Sequence, residues 1–221
     1  MGTRQESGER AVERAAEGLL YVEVECPAEL EAEFHAWYNQ EHIPERLRIP
    51  GFVSGTRYVA LEGGPRWLAA YGLDSPGVLE SAEYRKWAGP LQTPWTKRMV
   101  SSTRVRRSVF RCAHRLSPGD ATAATGLLAV RYVSAPVDNQ RLHDWHDHVF
   151  SAELAQLTGL LEIGRYQDTE QTSEELALYY LRDPWIIQES KFARLWVAGW
   201  ENTREGLADY KRTLYIRILC A

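Results

Sequence analysis

The sequence repeats itself after 108 residues. When residues 18 to 76 are aligned with residues 126 to 184, no gap is needed and sixteen of the fifty-nine pairs are identical. The matches include a Gly-Leu-Leu start, a His and a Trp two positions apart, and an Arg-Tyr pair. Because this period is the size of a small domain, each copy can bury a core of its own. The sequence therefore predicts two copies of one folding unit.

Each copy has the same predicted order of strands and helices. In the first copy, alternating apolar residues predict strands at 19–26, 52–61, 66–73 and 104–116. A helical pattern fills residues 28 to 42, and Pro44 predicts that this helix ends or kinks near His42. Ser75, as an N-cap, and Pro76 indicate the start of a second helix. The order is strand, helix, strand, strand, helix, strand, and it occurs twice.

This order is that of the ferredoxin-like βαββαβ unit, an α+β fold with an antiparallel sheet and both helices on one face. The uncovered face of each sheet must be buried, and the other copy offers a matching face. We therefore predict two tandem units packed through their sheets as an internal pseudo-dimer. The predicted segments are a flexible tail at 1–17, a first unit at 18–112, a linker at 113–125 and a second unit at 126–221. Association of two chains stays open.

Charge and composition disfavour several classes of partner. The net charge of −4 and the pI near 5.9 provide no basic surface for nucleic acid or an anionic membrane. No apolar run approaches the roughly 20 residues that a membrane helix needs, and the N-terminus lacks the apolar core of a signal peptide. Cys26, Cys112 and Cys220 are far apart, which fits a reducing compartment. We expect a cytoplasmic protein.

Aromatic residues are the unusual part of the composition. The chain has eight tryptophans and eleven tyrosines. Such residues either fill a core or form the walls of a pocket for a flat, apolar ligand. A small hydrophobic or aromatic molecule is therefore the expected partner.

One segment of the first copy resembles a known family. Residues 37–46 read WYNQEHIPER, and IPGF at 49–52 and Arg57-Tyr58 follow them. This pattern, a helix with W-x(3)-E-H-x-P followed by P-G-F and a strand with R-Y, resembles the EthD-like branch of the dimeric α/β-barrel superfamily. The segments WLAAY at 67–71 and SAEY at 81–84 also fit, so the resemblance covers nearly all of the first copy. In the second copy, VFSA at 149–152 replaces EHIP.

The resemblance implies several activities. The superfamily includes cofactor-free monooxygenases of polyketide quinones, polyketide cyclases, dehydratases and muconolactone isomerases, and haem enzymes among relatives with fused tandem units. We expect a cofactor-independent lyase or isomerase (a dehydratase, cyclase or isomerase) that transfers protons on a phenolic, polyketide-like or conjugated carbonyl compound. The alternatives are a haem- or metal-dependent oxidase or monooxygenase and a non-catalytic binder of a small hydrophobic ligand.

His42 is the leading catalytic candidate, since imidazole exchanges protons near neutral pH. Its alternative role is to bond the exposed carbonyls at the helix end. His35 lies two helical turns earlier, so both rings could face one pocket with Tyr38 between them, and Glu41 could orient His42. His35 recurs as His143, which equally fits a structural role.

Other first-copy residues are candidates for binding or for oxyanion stabilisation. Tyr58 or Tyr71 could donate a hydrogen bond to a developing oxyanion, and Arg57 could anchor a substrate. Strand alternation places Arg57 and Tyr58 on opposite faces, so they cannot line the same cavity. The candidate binding walls, which are equally candidates for core anchors, are Trp37, Trp67 and Trp87.

The second copy has its own candidate cluster, HDWHDH at 143–148. Histidines three apart share a helical face, so His143, His146 or His148 could ligate a metal or haem; the alternative is a solvated polar face. No spacing fixes a third ligand, and we expect no metal or organic cofactor. Tyr166 is the repeat of Tyr58. Because EHIP occurs only in the first copy, we predict that the chemistry belongs to that copy.

Overall fold

The computed structural model describes residues 16–134, 139–170, 173–201, 203 and 207–218. Residues 1–15 of the predicted tail and Cys220 lie outside these ranges.

The first copy contains the four predicted strands. They are β1 (Gly18–Glu25), β2 (Phe52–Glu62), β3 (Trp67–Leu73) and β4 (Arg104–Leu116). The helices are α1 (Glu31–Trp37), α2 (Ile43–Leu47), α3 (Ala82–Trp87) and α4 (Pro94–Ser102). Short 3-10 helices at Ala28–Leu30 and Pro76–Glu80 precede α1 and α3.

The second copy repeats this order. Its strands are β5 (Gly126–Ser134), β6 (Leu160–Asp168), β7 (Glu174–Leu181) and β8 (Leu207–Ile218). Its helices are α5 (Asn139–Asp144), α6 (Ser151–Leu154) and α7 (Ser190–Trp196). Further 3-10 helices lie at Ala121–Ala123 and Pro184–Gln188.

The strands of both copies form one closed sheet. Within the copies the strand orders are β4-β1-β3-β2 and β8-β5-β7-β6, and the whole is a closed eight-stranded barrel. Closure is made by antiparallel pairing of β2 with β8 and of β4 with β6, so each edge strand gains a neighbour in the other copy. The predicted α+β fold of two ferredoxin-like units is confirmed.

Strand alternation separates a helix-facing layer from the barrel interior. Each copy has a buried apolar cluster between its sheet and its helices. A third cluster fills the barrel with residues of both copies, including Tyr58, Tyr166 and Tyr215. Arg57 is buried on the helix-facing side against α1, so it and Tyr58 do face opposite sides of β2.

The first helix changes geometry where the proline predicted an irregularity. Residues Tyr38–His42 form a π-helical turn between α1 and α2, and Pro44 lies in the first turn of α2. Pro44 cannot supply the backbone N–H that a regular helix would use, and the change of hydrogen-bond pattern lies directly before it. The helical segment is therefore irregular near His42, as predicted, and continues to Leu47.

Two local predictions are corrected. The predicted order has no helix between α3 and the fourth strand, but α4 lies there, and Thr93 fixes its start because its Oγ1 accepts a hydrogen bond from the Thr96 N–H. Ser75 makes no capping hydrogen bond with a described residue, whereas Ser81 accepts one from the Tyr84 N–H and caps α3. The strand β4 runs to Leu116, as predicted, and therefore overlaps the first residues of the predicted linker.

Two remaining features concern thiols and membranes. Cys26 and Cys112 are free thiols. Within the ranges that the structure describes, no helix is long and apolar enough to cross a bilayer.

Candidate functional site

Several predicted residues meet between the first helix and the sheet of the first copy. We call this group the first-copy site, and its members are His35, Tyr38, His42, Arg57, Trp67 and Tyr71. The strands β2 and β3 supply Arg57, Trp67 and Tyr71, while α1 and the π turn supply the others.

Arg57 lies at the centre of these contacts. Its Nη1 donates to Asn39 Oδ1 at 2.9 Å, and its Nη2 lies 2.9 Å from His35 Nδ1. The guanidinium carbon is 4.5 Å from the ring centroid of Tyr38. The His35 ring meets Trp67 edge-on, with centroids 4.6 Å apart. Arg57 therefore fixes the orientation of His35 and Tyr38 and is itself held by α1 and the π turn.

His42 packs against aromatic rings. Its ring lies 4.3 Å from that of Trp37 and 5.2 Å from that of Tyr38, centroid to centroid. The His42 side chain is half-buried, but its Nδ1 is fully buried and has no hydrogen-bond partner among the described residues. Tyr38 thus contacts His42 directly, whereas His35 meets it through Arg57, which contacts both.

Three more buried polar atoms around this site have no hydrogen-bond partner in the described part of the chain. They are the Tyr71 hydroxyl, the Trp67 Nε1 and the Arg46 Nη1. Buried polar atoms are nearly always bonded, so each exception requires an explanation. Arg46 lies close enough to both Tyr71 and His42 to influence their pKa values, whereas Trp67 packs against His35 at the other end of the site.

The site holds its titratable groups in their uncharged forms. Burial, with the nearby Arg46 and Arg57 guanidinium groups, lowers the pKa of His42 to about 3. Burial and Arg57 also lower the pKa of His35. Burial raises the pKa of Tyr38 to about 12 and that of Tyr71 well above its ordinary value. At neutral pH the site therefore offers neutral imidazole and phenol groups beside two cations.

Glu41 and Trp37 connect the π turn to α4 instead of facing His42. Glu41 Oε1 accepts hydrogen bonds from the hydroxyls of Thr93 and Thr96. Trp37 Nε1 donates to Thr96 Oγ1 at 3.0 Å. No bond from Glu41 to the buried His42 Nδ1 forms, so the predicted orienting role is not seen in this geometry. Trp87 packs at the edge of the same apolar cluster.

Tyr58 and Tyr166 lie in a different compartment from His42. Both are buried in the barrel interior, on the face of the sheet opposite the helices. The structure therefore brings Tyr71 into the first-copy site and leaves Tyr58 out of it.

At the equivalent positions of the second copy, the polar atoms bond one another. Arg165, the repeat of Arg57, is held by Asp147 at 2.8 Å and by Glu175 at 3.0 Å. His143 Nε2 lies 2.6 Å from Glu175 Oε1. Burial raises the pKa of the Asp147 and Glu175 carboxyls, but hydrogen bonds outweigh this effect and lower both pKa values. Arg165 bonds both carboxyls, His146 bonds Asp147 and His143 bonds Glu175. We call this group the second-copy network.

The histidines of this cluster are separated in space. His146 is fully buried, with Nδ1 2.9 Å from Asp147 and Nε2 2.9 Å from the Tyr179 hydroxyl. Trp200 Nε1 also donates to that hydroxyl at 2.6 Å. Burial lowers the pKa of His146, so the ring is neutral near neutral pH. His148 is exposed on the surface, 6.0 Å from the ring of His114.

This arrangement does not fit the proposed haem or metal ligands. Both ring nitrogens of His146 and the Nε2 of His143 are already bonded. Aromatic side chains occupy the space beside His146, with Trp145, Phe150 and Trp200 rings within 6.3 Å of it. Among the residues described, no group of three or more His, Cys, Asp or Glu side chains is arranged to hold a metal ion.

Sequence reasoning missed Asn39 and Arg46. Asn39 receives a hydrogen bond from Arg57, and its repeat Asp147 bonds Arg165, so the recurrence of a polar residue there was an available signal. Arg46 is buried, with its guanidinium 5.6 Å from the Tyr84 ring. No sequence signal distinguishes it from the exposed arginines nearby, because its burial follows from the continuation of the helix to Leu47.

Comparison with known proteins yields structural neighbours only. No family model and no curated protein matches the sequence. An anthrone oxidase-like protein has a similar structure, with a TM-score of 0.67 and 12% identity, and 91% of each chain is covered. A putative monooxygenase from Lactobacillus acidophilus NCFM gives a TM-score of 0.60 and 7% identity, covering 90% of this chain and 93% of the other. A mutant chlorite dismutase from Candidatus Nitrospira defluvii gives a TM-score of 0.61 and 8% identity, with 94% of each chain covered.

Proposed function

This chain has the dimeric α/β-barrel fold within a single polypeptide, and from that premise we propose that its first copy is an enzyme site. The substrate would be a small phenolic, polyketide-like or conjugated carbonyl compound. The observation that carries the proposal is the set of unpartnered buried atoms at His42, Tyr71 and Trp67. At the equivalent second-copy positions, Tyr179 and Glu175 are bonded and Phe150 replaces His42.

The proposed ligand follows from the chemistry of those atoms. The raised pKa of Tyr71 keeps its hydroxyl protonated, and the Trp67 indole N–H is a donor at any pH. Both suit a carbonyl or phenolate oxygen. Aromatic rings of Phe34, Trp37 and Tyr38 surround the site, which favours a conjugated ring beside that oxygen.

The proposed step is removal of a proton next to the carbonyl. The proton moves to the His42 imidazole, and the electron pair moves onto the carbonyl oxygen, where Tyr71 donates a hydrogen bond to it. With its low pKa, His42 is a weak base before substrate binds. The oxyanion formed within the same buried site raises that pKa by its opposite charge, so imidazolium and oxyanion stabilise each other. Return of the proton to another atom completes an isomerisation, and loss of hydroxide completes a dehydration.

Deuterium exchange of a model compound, anthrone, tests this step. Anthrone has a methylene group whose deprotonation gives an aromatic oxyanion, and its exchange in deuterated buffer without oxygen can be followed by proton NMR. We expect the protein to accelerate exchange and His42→Ala to lower the acceleration about 100-fold, the range typical of a lost general base. Tyr71→Phe, which removes only the donor, should cause about a tenfold loss.

His148→Ala is the matched control, since it removes an exposed histidine from the equivalent helix of the other copy. It should exchange anthrone at the wild-type rate. Equal rates for wild type and a folded His42→Ala variant would reject the assignment. Tight binding of anthrone with no acceleration would instead favour a non-catalytic binder.

The likeness to oxidase-like and monooxygenase proteins favours a second candidate, an oxidase that uses the same anion. An anthrone methylene oxidised by one dioxygen gives the quinone carbonyl and one water, which balances atoms and electrons. Oxygen uptake in stoichiometric amounts with anthraquinone formation, measured in air with the same variants, would support this outcome. Both candidate functions require His42 to remove a proton from the substrate.

A further inference from the structure

A second compartment lies at one mouth of the barrel, away from the first-copy site. A cavity of about 520 Å³ opens where β1 begins and β3 ends. Its walls include Tyr58, while the neighbouring Arg57 belongs to the first-copy site on the opposite face of β2. The volume lies within the range of small-molecule pockets.

The two copies line this cavity unequally. The first copy contributes Ala70 and Gly72, and the second copy has Leu178 and Tyr180 at the equivalent positions. A Cβ atom on Gly72 would lie 2.6 Å from Ser54 Oγ, so this wall accepts no larger side chain without movement. The result is a flat wall of small residues facing tyrosine rings, a shape that suits a planar molecule.

The connection between the two copies forms the rim of the cavity. Residues 119–122 and 124 line it. The connection is held by a bond from Gly119 N to Leu161 O at 3.0 Å and by one from Arg217 Nη1 to Thr122 O at 2.8 Å. A barrel assembled from two separate chains would have no such connection, so this wall is a product of the fusion.

The two arginines at the mouth differ in their partners. Arg115 lies 3.5 Å from the Glu162 carboxylate and donates to Ala16 O at 2.6 Å. Arg217 forms no ion pair with a residue in the described ranges, and its charge acts on the buried Tyr58 hydroxyl. The carboxylates of Glu162, beside Arg115, and of Asp120 also line the mouth, and of the two arginines only Arg217 has no carboxylate partner in the described ranges, so it is the one that an anionic ligand could neutralise.

We infer that the barrel mouth binds a planar aromatic acid, with its ring between the Ala70–Gly72 wall and the tyrosines and its carboxylate on Arg217. The ligand lies on the pseudo-symmetry axis of the barrel, near both Tyr58 and Tyr166, so the chain offers one such site. This inference does not depend on the activity proposed for the first-copy site.

Binding of 1-hydroxy-2-naphthoate, measured by calorimetry, tests the inference, with 1-naphthol as the matched ligand that lacks the carboxylate. Arg217→Gln should weaken naphthoate binding about tenfold or more and leave naphthol binding unchanged, because only the charge-assisted bond is lost. Ala70→Leu, which introduces the residue of the other copy, should weaken both ligands. Arg111→Gln makes the same charge change at an exposed position of β4 and should have no effect.

The full chain is used in every arm, and circular dichroism verifies its fold. His42→Ala should bind naphthoate as the wild type does, which separates this site from the proposed active site. The inference fails if the wild type does not bind naphthoate at millimolar concentration. It also fails if Arg217→Gln and Arg111→Gln bind naphthoate with the same affinity. The same holds if His42→Ala is the only variant that binds naphthoate more weakly than the wild type.

Discussion

At the scale of single residues, His42 differs from its repeat, Phe150, in placing a polar atom in a buried layer. Phe150 occupies the equivalent position and is fully buried in an apolar cluster. His42 places a polar Nδ1 in the corresponding layer and bonds it to no described residue. A buried polar atom without a partner destabilises a fold, so at this position the first copy carries a cost that Phe150 avoids in the second copy. Such costs concentrate at functional sites.

The low pKa of His42 predicts acid sensitivity. The folded value of about 3 lies below the value of 6.5 expected in the unfolded chain. Between these values the unfolded chain binds a proton that the folded protein does not, so stability falls as the pH decreases from about 6.5 towards about 3. His42→Asn should therefore lose less in melting temperature than the wild type between about pH 7 and about pH 5.

Thermal denaturation followed by circular dichroism provides the measurement. His148→Asn is the control and should keep the full wild-type decrease, because its side chain is exposed. Part of the decrease in melting temperature at low pH should persist in His42→Asn, since burial also lowers the pKa of His146. Identical decreases in wild type and His42→Asn would contradict the buried, neutral state of this histidine.

At the scale of elements, the π turn is a shared feature of the two copies. It occupies Tyr38–His42 in the first and Trp145–Phe150 in the second. The second copy has Ala152 where the first has Pro44, so the proline is not required for the turn. Aromatic packing at Trp37 and Trp145 is common to both. A π turn inserts an extra residue into the helix, and in the first copy Tyr38 and Asn39 within this turn contact Arg57.

The contact between the π turn and α4 gives a test at this scale. Thr93 both caps α4 and donates to Glu41, whereas Ser81 caps α3 through a bond to the Tyr84 N–H. Thr93→Ala should cost about 2 kcal/mol and Ser81→Ala about 1 kcal/mol in the free energy of unfolding, because the first change also removes a bond to a carboxylate. Urea denaturation measures both, and equal costs would show that the Glu41 contact contributes no stability.

At the scale of the molecule, an ion pair lies on the pseudo-symmetry axis. Glu23 Oε2 is 2.8 Å from Arg131 Nη2, and these residues are 108 positions apart, the period of the repeat. In a barrel of two identical chains, a residue at this place would face its own copy and a charge would be repelled. Duplication within one chain allowed the two positions to take opposite charges.

The pair of Glu23 and Arg131 should contribute more to the free energy of unfolding than the exposed Arg106 at its edge. Glu23 is 3% exposed and faces the buried Arg131, which also bonds Glu174, whereas the side chain of Arg106 is 52% exposed. Glu23→Gln should lower the free energy of unfolding by about 3 kcal/mol, as expected when one partner of a buried pair is removed. Arg106→Gln should cost under about 1 kcal/mol, the usual range for exposed pairs. Guanidinium denaturation compares them, and similar losses would contradict an essential axial pair.

The sequence determined the fold and proposed the residues of a candidate site. The repeat set the number of units, the alternation of apolar residues located the strands, and the separation of Arg57 from Tyr58 followed from strand geometry alone. Helix spacing, which is a local property, also placed Tyr38 beside His42, while the role of His35, Tyr38 and His42 in a site stays a prediction. The strands, their faces and the helix spacing depend on neighbours within a few residues, and the repeat is visible by aligning the chain with itself, so the order of residues contains this information.

Only the tertiary structure decided which polar groups find partners. Glu41 lies beside His42 in sequence but bonds Thr93 and Thr96 on α4, and Glu23 meets Arg131 from the other copy. Closure of the barrel likewise created the cavity at its mouth and placed Arg217 beside Tyr58. Hydrogen bonding and burial depend on contacts between distant segments, and periodicity does not encode those contacts. The repeat therefore determined the architecture, and the packing of its two copies decided which atoms remained available for chemistry.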